Sequence, residues 1–218
     1  MFAQTYHPGL LSLLYSVGSK PLQLWEKCEE APGASVRRVL DDAVQSSVIE
    51  LRASNISATW IRSPASPGAS LHIRSRHLVL LLKPSSDEPV SIEVAVQDSR
   101  QALRRFRVST FQRSAHVHEL LTVLPLQLER GWNQLQLDLA QLTREAYQTQ
   151  YAHTVSVQVH ANCRLRRIFF ADHLPQEHER PPEFRLFQRL SRDQVRELRA
   201  SGDRPRPRTA VNSLRTDE

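Results

Sequence analysis

The chain has 218 residues and is 40% hydrophobic, so it can bury a substantial core and predicts one domain, with at most one appendage. Its two cysteines exclude a disulfide framework and a structural zinc site built on thiols, which points to a reducing compartment. The net charge is +6, and only three of the 29 basic residues are lysine; this arginine bias suits an anionic partner but would also follow from arginine-rich codon usage.

The N-terminal segment contains an apolar run from Leu10 to Val17 that serine and tyrosine interrupt. No positive charge precedes the run, whereas a secretory signal begins with basic residues, and a membrane span needs ~20 apolar residues. We therefore expect a soluble, intracellular protein with no membrane partner.

Apolar and polar residues alternate along several short segments, which is typical of strands with one face in water. Such strands favour antiparallel pairing, because parallel sheets are normally buried on both faces. The predicted strands cover residues 46–53, 57–62, 77–83, 90–97, 103–109, 134–139 and both halves of 155–170. Clusters of proline and serine at 63–70 and 83–89 predict the loops between them. The fold class expected is an all-β antiparallel sandwich or jelly roll, with one helix within 139–149 that covers one end.

The C-terminal residues 189–218 differ in composition from the rest and predict a basic tail outside the domain at 1–188. Ser191 and Gln194 form a capping box for a short helix that extends to about Arg199. Beyond it the chain is polar and rich in proline, so we expect disorder there.

The segment VSVQVHANCRLRRIFF, residues 155–170, holds His160, Asn162 and Cys163 within four positions. A papain-like protease uses the same three residue types for catalysis. On an extended chain, however, a nucleophile and a base three positions apart cannot reach each other. The segment therefore predicts a turn between two strands, one with Val155, Val157 and Val159 on a single face, and no catalytic residue or cofactor.

Other motifs point away from metal and phosphate sites. The histidines of HVH (116–118) and DHLPQEH (172–178) lack the spacing of specific metal ligands, and the six glycines form no phosphate-binding loop. The three tryptophans, Trp25, Trp60 and Trp132, are expected in the core. An exposed aromatic platform on a jelly roll would instead indicate a carbohydrate-binding module, and that alternative stays open.

Arginine clusters are the most distinctive surface signal. Arg105 and Arg107 are expected on one face of their strand, and Arg164 and Arg166 on one face of another. A solvated basic face is one interpretation, and docking of an acidic protein is the other. Nucleic acid is the less favoured partner, because no aromatic residues interleave with the charges. The candidate partner-binding residues are Arg104, Arg105, Arg107, Arg164, Arg166 and Arg167.

Several strings resemble the cilia- and flagella-associated protein 20 family, in the order and spacing of that family. They are MFAQTYHPGLLSLLYSVGSKPLQLW, LRRFRVSTFQ, GWNQLQLDL, LTREAYQTQY, VSVQVHANCRLRRIFFADHLP and PPEFRLF, which cover Met1 to about Phe187. HANCRLRR is the most specific of them. The signature positions are Trp132, Asn133, His160, Ala161, Asn162 and Cys163. The loops at 28–36, 63–70 and 84–89 and the tail depart from the family pattern, as in a divergent member.

The resemblance implies a non-enzymatic structural protein of the cilium, with a jelly-roll sandwich that resembles carbohydrate-binding modules. It implies binding to tubulin at the inner junction of axonemal doublet microtubules, beside junction proteins such as the parkin co-regulated protein. The implied locations are the axoneme, the basal body or centriole, the cytoplasm and cytoskeleton and, for some members, the nucleus.

Overall fold

The protein is a sandwich of two β-sheets, as the alternating segments predict. A computed structural model describes residues 6–7, 9–85, 88–186 and 209–211. Strands are numbered β1 to β15 in chain order. Sheet A contains β1 (Tyr6–His7), β2 (Leu10–Tyr15), β4 (Ser35–Asp41), β5 (Ser46–Arg52), β7 (His77–Pro84), β12 (Asn133–Asp138), β14 (Cys163–Ala171) and β15 (Thr209–Val211). Sheet B contains β3 (Glu26–Glu29), β6 (Thr59–Ser63), β8 (Ser91–Asp98), β9 (Leu103–Ser109), β10 (His116–Val117), β11 (Leu121–Pro125) and β13 (Tyr151–His160).

The strand order in sheet A is β1-β2-β14-β7-β12-β15, with β5 paired to β14 and β4 paired to β5. Sheet B has the order β10-β11-β9-β8-β13-β6-β3. Among the strands described, the pairings are antiparallel except for β11 with β9 and β12 with β15, which are parallel. The antiparallel prediction is wrong for these two pairs. In the first, the short β10–β11 hairpin reverses the chain, so that β11 runs in the same direction as β9.

The core lies between the sheets and is built from the alternate apolar residues of each strand. The buried side chains that face it include Leu80, Leu82, Ile92, Val94, Phe106, Leu135, Leu137, Val157, Val159, Leu165 and Phe170. Val155 does not join Val157 and Val159 there, which differs from the sequence-based expectation. The register of β13 against β8 shifts between Thr154 and Ser156, so Val155 is the extra residue of a bulge and is half-buried.

Two of the three tryptophans are buried, in agreement with the sequence. Trp25 packs in the main core and its Nε1 donates a hydrogen bond to the carbonyl oxygen of Leu13 at 3.2 Å. Trp132 is buried against Val44 and Val48 on the outer face of sheet A. Trp60 is half-buried. Because two of the rings are buried, they cannot form the exposed platform that carbohydrate binding would need.

The predicted helix is present as α1 (Leu139–Tyr147). Asp138 caps its N-terminus, accepting a hydrogen bond from the backbone N–H of Gln141 at 3.0 Å. Leu139 and Leu142 pack in the core, which fixes the helix against the end of the sandwich. Within the described residues, single-turn 3-10 helices cover Ile56–Ala58, Glu177–Glu179 and Pro182–Phe184.

Residues 172–186, here called the covering segment, pack on the outer face of sheet A. Phe184 is fully buried there against Leu10, Val79, Leu81 and Phe169. Its ring meets that of Phe169 edge-on, with 5.0 Å between the ring centres. Sheet A is therefore covered on both faces, and its central strands lose the polar outer face that alternation would show.

The predicted tail falls mostly outside the described residues. The helix expected at 191–199 lies outside them, and so does most of the stretch expected to be disordered. Thr209–Val211, which belong to that stretch, pair with β12 as a strand. The expectation of a disordered tail stays a prediction.

Candidate functional site

The HANC segment is a turn between strands, as predicted. His160 ends β13 and Cys163 begins β14. Asn162 links the turn to two neighbouring segments of the same chain. Its Oδ1 accepts a hydrogen bond from the backbone N–H of Ala53 at 2.8 Å, and its carbonyl oxygen accepts one from the backbone N–H of Ser85 at 3.0 Å. This residue therefore has a structural role.

The thiol of Cys163 is not placed as a nucleophile. It is fully buried, and burial raises its pKa to about 12. Its sulfur donates to the carbonyl oxygen of His160 at 3.6 Å. The imidazole of His160 is engaged elsewhere, with Nδ1 3.0 Å from the carbonyl oxygen of Ile56 and Nε2 3.0 Å from Nε2 of Gln158. The arrangement does not support a Cys–His catalytic pair.

We expect the two cysteines to react with alkylating agents at very different rates. Cys28 is half-buried, whereas Cys163 is fully buried and its thiol stays protonated. At about pH 8, iodoacetamide should modify Cys28 in the native protein and Cys163 only after unfolding. Mass spectrometry of timed samples measures both rates, and equal rates in the native protein would contradict this placement.

The three predicted arginines of β9 differ in what they contact. Arg104 pairs through Nε with Asp98 at 2.9 Å and stacks on the ring of Tyr147 at 4.5 Å. Arg107 pairs with Glu93 at 2.9 Å. Arg105 is exposed, and among the described residues its guanidinium has no ion pair or hydrogen bond. Arg105 and Arg107 share the outer face of sheet B, as the alternation predicts.

Arg164 is held inside an ion-pair network on the outer face of sheet A. Its guanidinium donates to the carboxylates of Asp41 and Glu50, both at 2.7 Å. Both carboxylates are almost fully buried. We call this network the Asp41–Glu50 cluster; its further members are Arg37, Lys83 and Trp132.

The pKa of Asp41 reports the strength of this cluster. Burial alone would raise it, but hydrogen bonds from Arg164, Trp132 and Lys83 outweigh burial and lower the pKa to about 2. The charge of Arg164 is thus compensated within the chain. Sequence reasoning missed Asp41 because the partners of this buried acid are 42, 91 and 123 positions away.

The expectation that Arg164 and Arg166 share a face is wrong. Leu165 pairs with Leu82 and Arg167 pairs with Leu81, so Arg166 is the extra residue of a β-bulge. Arg167 therefore follows Arg164 on the outer face of the sheet.

Arg167 is buried between two aromatic rings. Its guanidinium carbon lies 3.8 Å from the ring centre of Tyr15 and 4.1 Å from that of Phe184. Burial lowers its pKa to about 10. Arg166, in contrast, has a buried Nε and a buried Nη1 without any hydrogen-bond partner. Of the six predicted arginines, Arg105 and Arg166 thus keep guanidinium donors unpaired by described residues.

Trp132 and Asn133, which also belong to the signature, have structural contacts as well. Trp132 donates from Nε1 to the carboxylate of Asp41 at 3.1 Å. The side chain of Asn133 donates to the carbonyl oxygens of Glu129 and Gly131, both at 2.9 Å, and closes the loop before β12.

Large apolar side chains are exposed on both sheets. Tyr15, Val17 and Leu40 are exposed in or beside β2 and β4 of sheet A. Leu103, Phe111, Val117 and Leu120 are exposed in or beside β9, β10 and β11 of sheet B. Large exposed apolar side chains next to arginine are typical of protein interfaces.

In the described part of the chain, no group of three or more histidine, cysteine or acidic side chains is placed to hold a metal ion. No helix in that part has the length and apolar composition needed to span a bilayer.

A family model described as the CFA20 domain matches residues 1–188. The chain is similar to proteins named cilia- and flagella-associated protein 20 from three organisms. That of Paramecium tetraurelia is 43% identical over 187 residues, which covers 86% of this chain and 96% of that protein. The protein of Chlamydomonas reinhardtii is 44% identical, covering 86% and 97%. The protein of Caenorhabditis elegans is 40% identical, covering 86% and 91%.

Among solved structures, the fold is similar to part of an exo-beta-agarase, with a TM-score of 0.47 and 8% identity. The similarity covers 77% of this chain and 25% of that chain. A second agarase matches with a TM-score of 0.35 and 8% identity, covering 89% of this chain and 30% of that chain.

Proposed function

Because the chain belongs to the CFA20 domain family, we propose that it is a non-enzymatic structural protein of the cilium or flagellum. The observation that carries the proposal is 40–44% identity to proteins named cilia- and flagella-associated protein 20, over nearly their whole length. The contacts of the family signature agree with a structural role, since His160, Asn162 and Cys163 hold a turn together.

We infer further that the protein binds tubulin and helps to form the inner junction of axonemal doublet microtubules, where it supports stability and motility of the cilium. Its neighbours there would be other junction proteins, such as the parkin co-regulated protein. The axoneme is the proposed main location, with the basal body or centriole and the nucleus as additional ones. These finer points rest on the family resemblance.

The surface chemistry supports an acidic partner. Tubulin is strongly acidic and the chain carries a net charge of +6. Repetition along a filament would add many modest contacts, so each copy would need only a few ion pairs. Arg105 suits such a contact because its charge is uncompensated and the exposed side chains of Leu103 and Leu120 lie near it.

Charge reversal at Arg105 tests this contact. In low salt, Arg105→Glu is expected to weaken co-sedimentation with microtubules by about fivefold, because a favourable ion pair becomes a repulsion. Salt should reduce the difference between the variant and the wild type.

Arg100→Glu is the matched control, since Arg100 is exposed in the turn before β9 and the net charge changes equally. Equal weakening in both variants would mean that only total charge matters and would remove Arg105 as a specific contact. Failure of the wild-type protein to pellet with microtubules would contradict tubulin binding itself.

A further inference from the structure

We propose that the outer face of sheet B binds an extended acidic segment of a partner protein, which crosses the strands from Arg105 of β9 to Arg62 of β6. We call the surface made by Arg62, Arg105, Arg107, Leu103 and Leu121 the sheet B surface. The inference rests on the proposed function and deepens it, because it adds a second contact point to Arg105 and states the chemistry of the occupant.

The alternation of β9 places three of these residues on the outer face. Phe106 and Val108 pack in the core between the sheets. Leu103, Arg105 and Arg107 alternate with them along the strand and therefore point outward. This face is open to solvent at β9, since Leu103 is 49% exposed and Arg105 is also exposed.

A single row of outward side chains connects β9 with β6. Arg107 lies opposite Glu93 of β8, and Glu93 lies opposite Gln158 of β13. Gln158 in turn lies opposite Arg62 of β6. Contacts join the row, because one carboxylate oxygen of Glu93 is 2.9 Å from Arg107 and 3.4 Å from Nε2 of His160, which is 3.0 Å from Nε2 of Gln158. Register partners point to the same face of a sheet, so Arg62 shares the outer face with Arg107.

The guanidinium groups of Arg62 and Arg105 are available to a partner. Arg105 is exposed and Arg62 is half-buried, and neither has an ion pair or hydrogen bond to the residues that the structure describes. In contrast to Arg166, their unpaired nitrogens are not buried. A carboxylate suits a guanidinium best, because it can accept two parallel hydrogen bonds from the planar group.

The charges on this face favour an acidic occupant. Arg107 compensates Glu93 at 2.9 Å. Glu26 of β3 lies opposite Arg62, but within the described part of the chain the two form no ion pair. With Arg105, three arginines therefore share this face with two glutamates, and positive charge remains in excess. Carboxylates would gain from this excess and from the two unpaired guanidinium groups.

The distance between the two unpaired arginines sets the length of the occupant. β9 and β6 are three strand spacings apart, or about 14 Å, which an extended chain covers in about four residues. Ala95 and Ser156 lie opposite each other on the strands between them, and their small side chains leave room for a main chain. Leu121 lies opposite Arg105, and Leu103 is two positions away. These leucines would contact an apolar side chain beside the carboxylate and exclude water from the ion pair.

The test uses a fluorescein-labelled peptide, Gly-Leu-Glu-Glu-Ser-Glu-Glu-Gly, and its glutamine analogue, with binding followed by anisotropy in low salt. The wild-type protein should bind the glutamate peptide and not the analogue. Arg62→Gln and Arg105→Gln should each bind it about threefold more weakly, and the double variant about tenfold, since each loses one charge-assisted contact. Arg52→Gln is the matched control, because Arg52 is exposed on sheet A and the net charge changes equally; it should match the wild type.

Glu26→Gln tests the same surface by a gain in affinity, which a poorly folded variant would not show. Removing this acid opposite Arg62 should tighten peptide binding about twofold, because a repulsion disappears. Unchanged or weaker binding would remove Arg62 as a contact point. The Arg62 and Arg105 variants should melt at the temperature of the wild type, since neither arginine has an ion pair with described residues to lose.

Three results would overturn the inference. They are failure of the wild type to bind the glutamate peptide, equal affinity in the wild type and the double variant, and tighter binding of an oligothymidylate than of the peptide. Weakening in Arg105→Gln alone would confine the contact to β9 and contradict a segment that crosses to β6.

The proposed function can fail separately. Peptide binding by a protein that does not pellet with microtubules would contradict tubulin binding alone. Pelleting with wild-type strength in the double variant, together with unchanged peptide affinity, would overturn the sheet B surface alone.

Discussion

Replacing Asp41 with alanine is expected to lower the free energy of unfolding by about 3 kcal/mol, because the substitution removes the acceptor at the centre of a buried ion-pair network. The side chain of Asp41 is fully buried and accepts hydrogen bonds from Arg164, Lys83 and Trp132. Without it, the indole N–H of Trp132 would lose its acceptor and the two cations would lose a shared counter-charge.

Asp42→Ala is the matched control for this substitution. The neighbouring acid is exposed, so its loss should change the free energy of unfolding by less than about 0.5 kcal/mol. Urea denaturation of the three proteins at neutral pH measures both differences. A cost for Asp41→Ala no larger than that for Asp42→Ala would mean that the network contributes nothing to stability.

Asp41 also makes the stability of the folded protein dependent on pH. The folded protein holds the pKa of Asp41 at about 2, below the 3.8 of an unperturbed aspartate, so the unfolded chain binds the proton more readily. The contribution is therefore complete above about pH 4 and is lost as pH falls through about 2. This shift corresponds to roughly 2 kcal/mol. As the pH falls from about 4 to about 2, Asp41→Asn should lose less stability than the wild type does.

Phe184→Ala is expected to cost about 3–4 kcal/mol, because it removes a fully buried aromatic ring. The ring packs on Phe169 and also forms one side of the aromatic sandwich around Arg167. The covering segment should therefore detach more readily from sheet A and expose apolar side chains such as Val79 and Leu81.

Phe111→Ala provides the comparison, since the same side chain is removed from an exposed position. Its cost should stay below about 0.5 kcal/mol. Thermal unfolding and limited proteolysis near residues 172–186 measure the two effects. Wild-type stability and wild-type resistance to protease in Phe184→Ala would contradict this prediction. They would mean that other contacts, such as those of Arg167, keep the segment in place.

Local alternation predicts strands that have one wet face, and it misses β2, which has none. β8 and β12 were predicted because polar residues on one face separate apolar residues on the other. β2 was not, since residues 10–15 read as an interrupted apolar run; its Ser12 is buried and Leu10 packs against the covering segment. Burial on both faces depends on a segment more than 150 positions away, and no local pattern carries that information.

The candidate site was predicted in part, for a similar reason. The family signature pointed to β14, and the alternation placed Arg105 and Arg107 correctly on a shared face. The bulge at Arg166 depends on pairing with β7, and the pairing of Arg164 depends on Asp41 and Glu50. Such distant contacts determine whether the charge of an arginine is paired within the chain. The sequence could therefore identify the six arginines but could not show which of them are paired.

The proposal that this chain is a structural protein of the cilium is tested most directly in a ciliated cell. A tagged copy should concentrate in the cilium and remain with the axoneme after detergent extraction, because a doublet-microtubule component is held by protein contacts. A tagged copy that is diffuse and is removed completely by detergent would contradict the proposal.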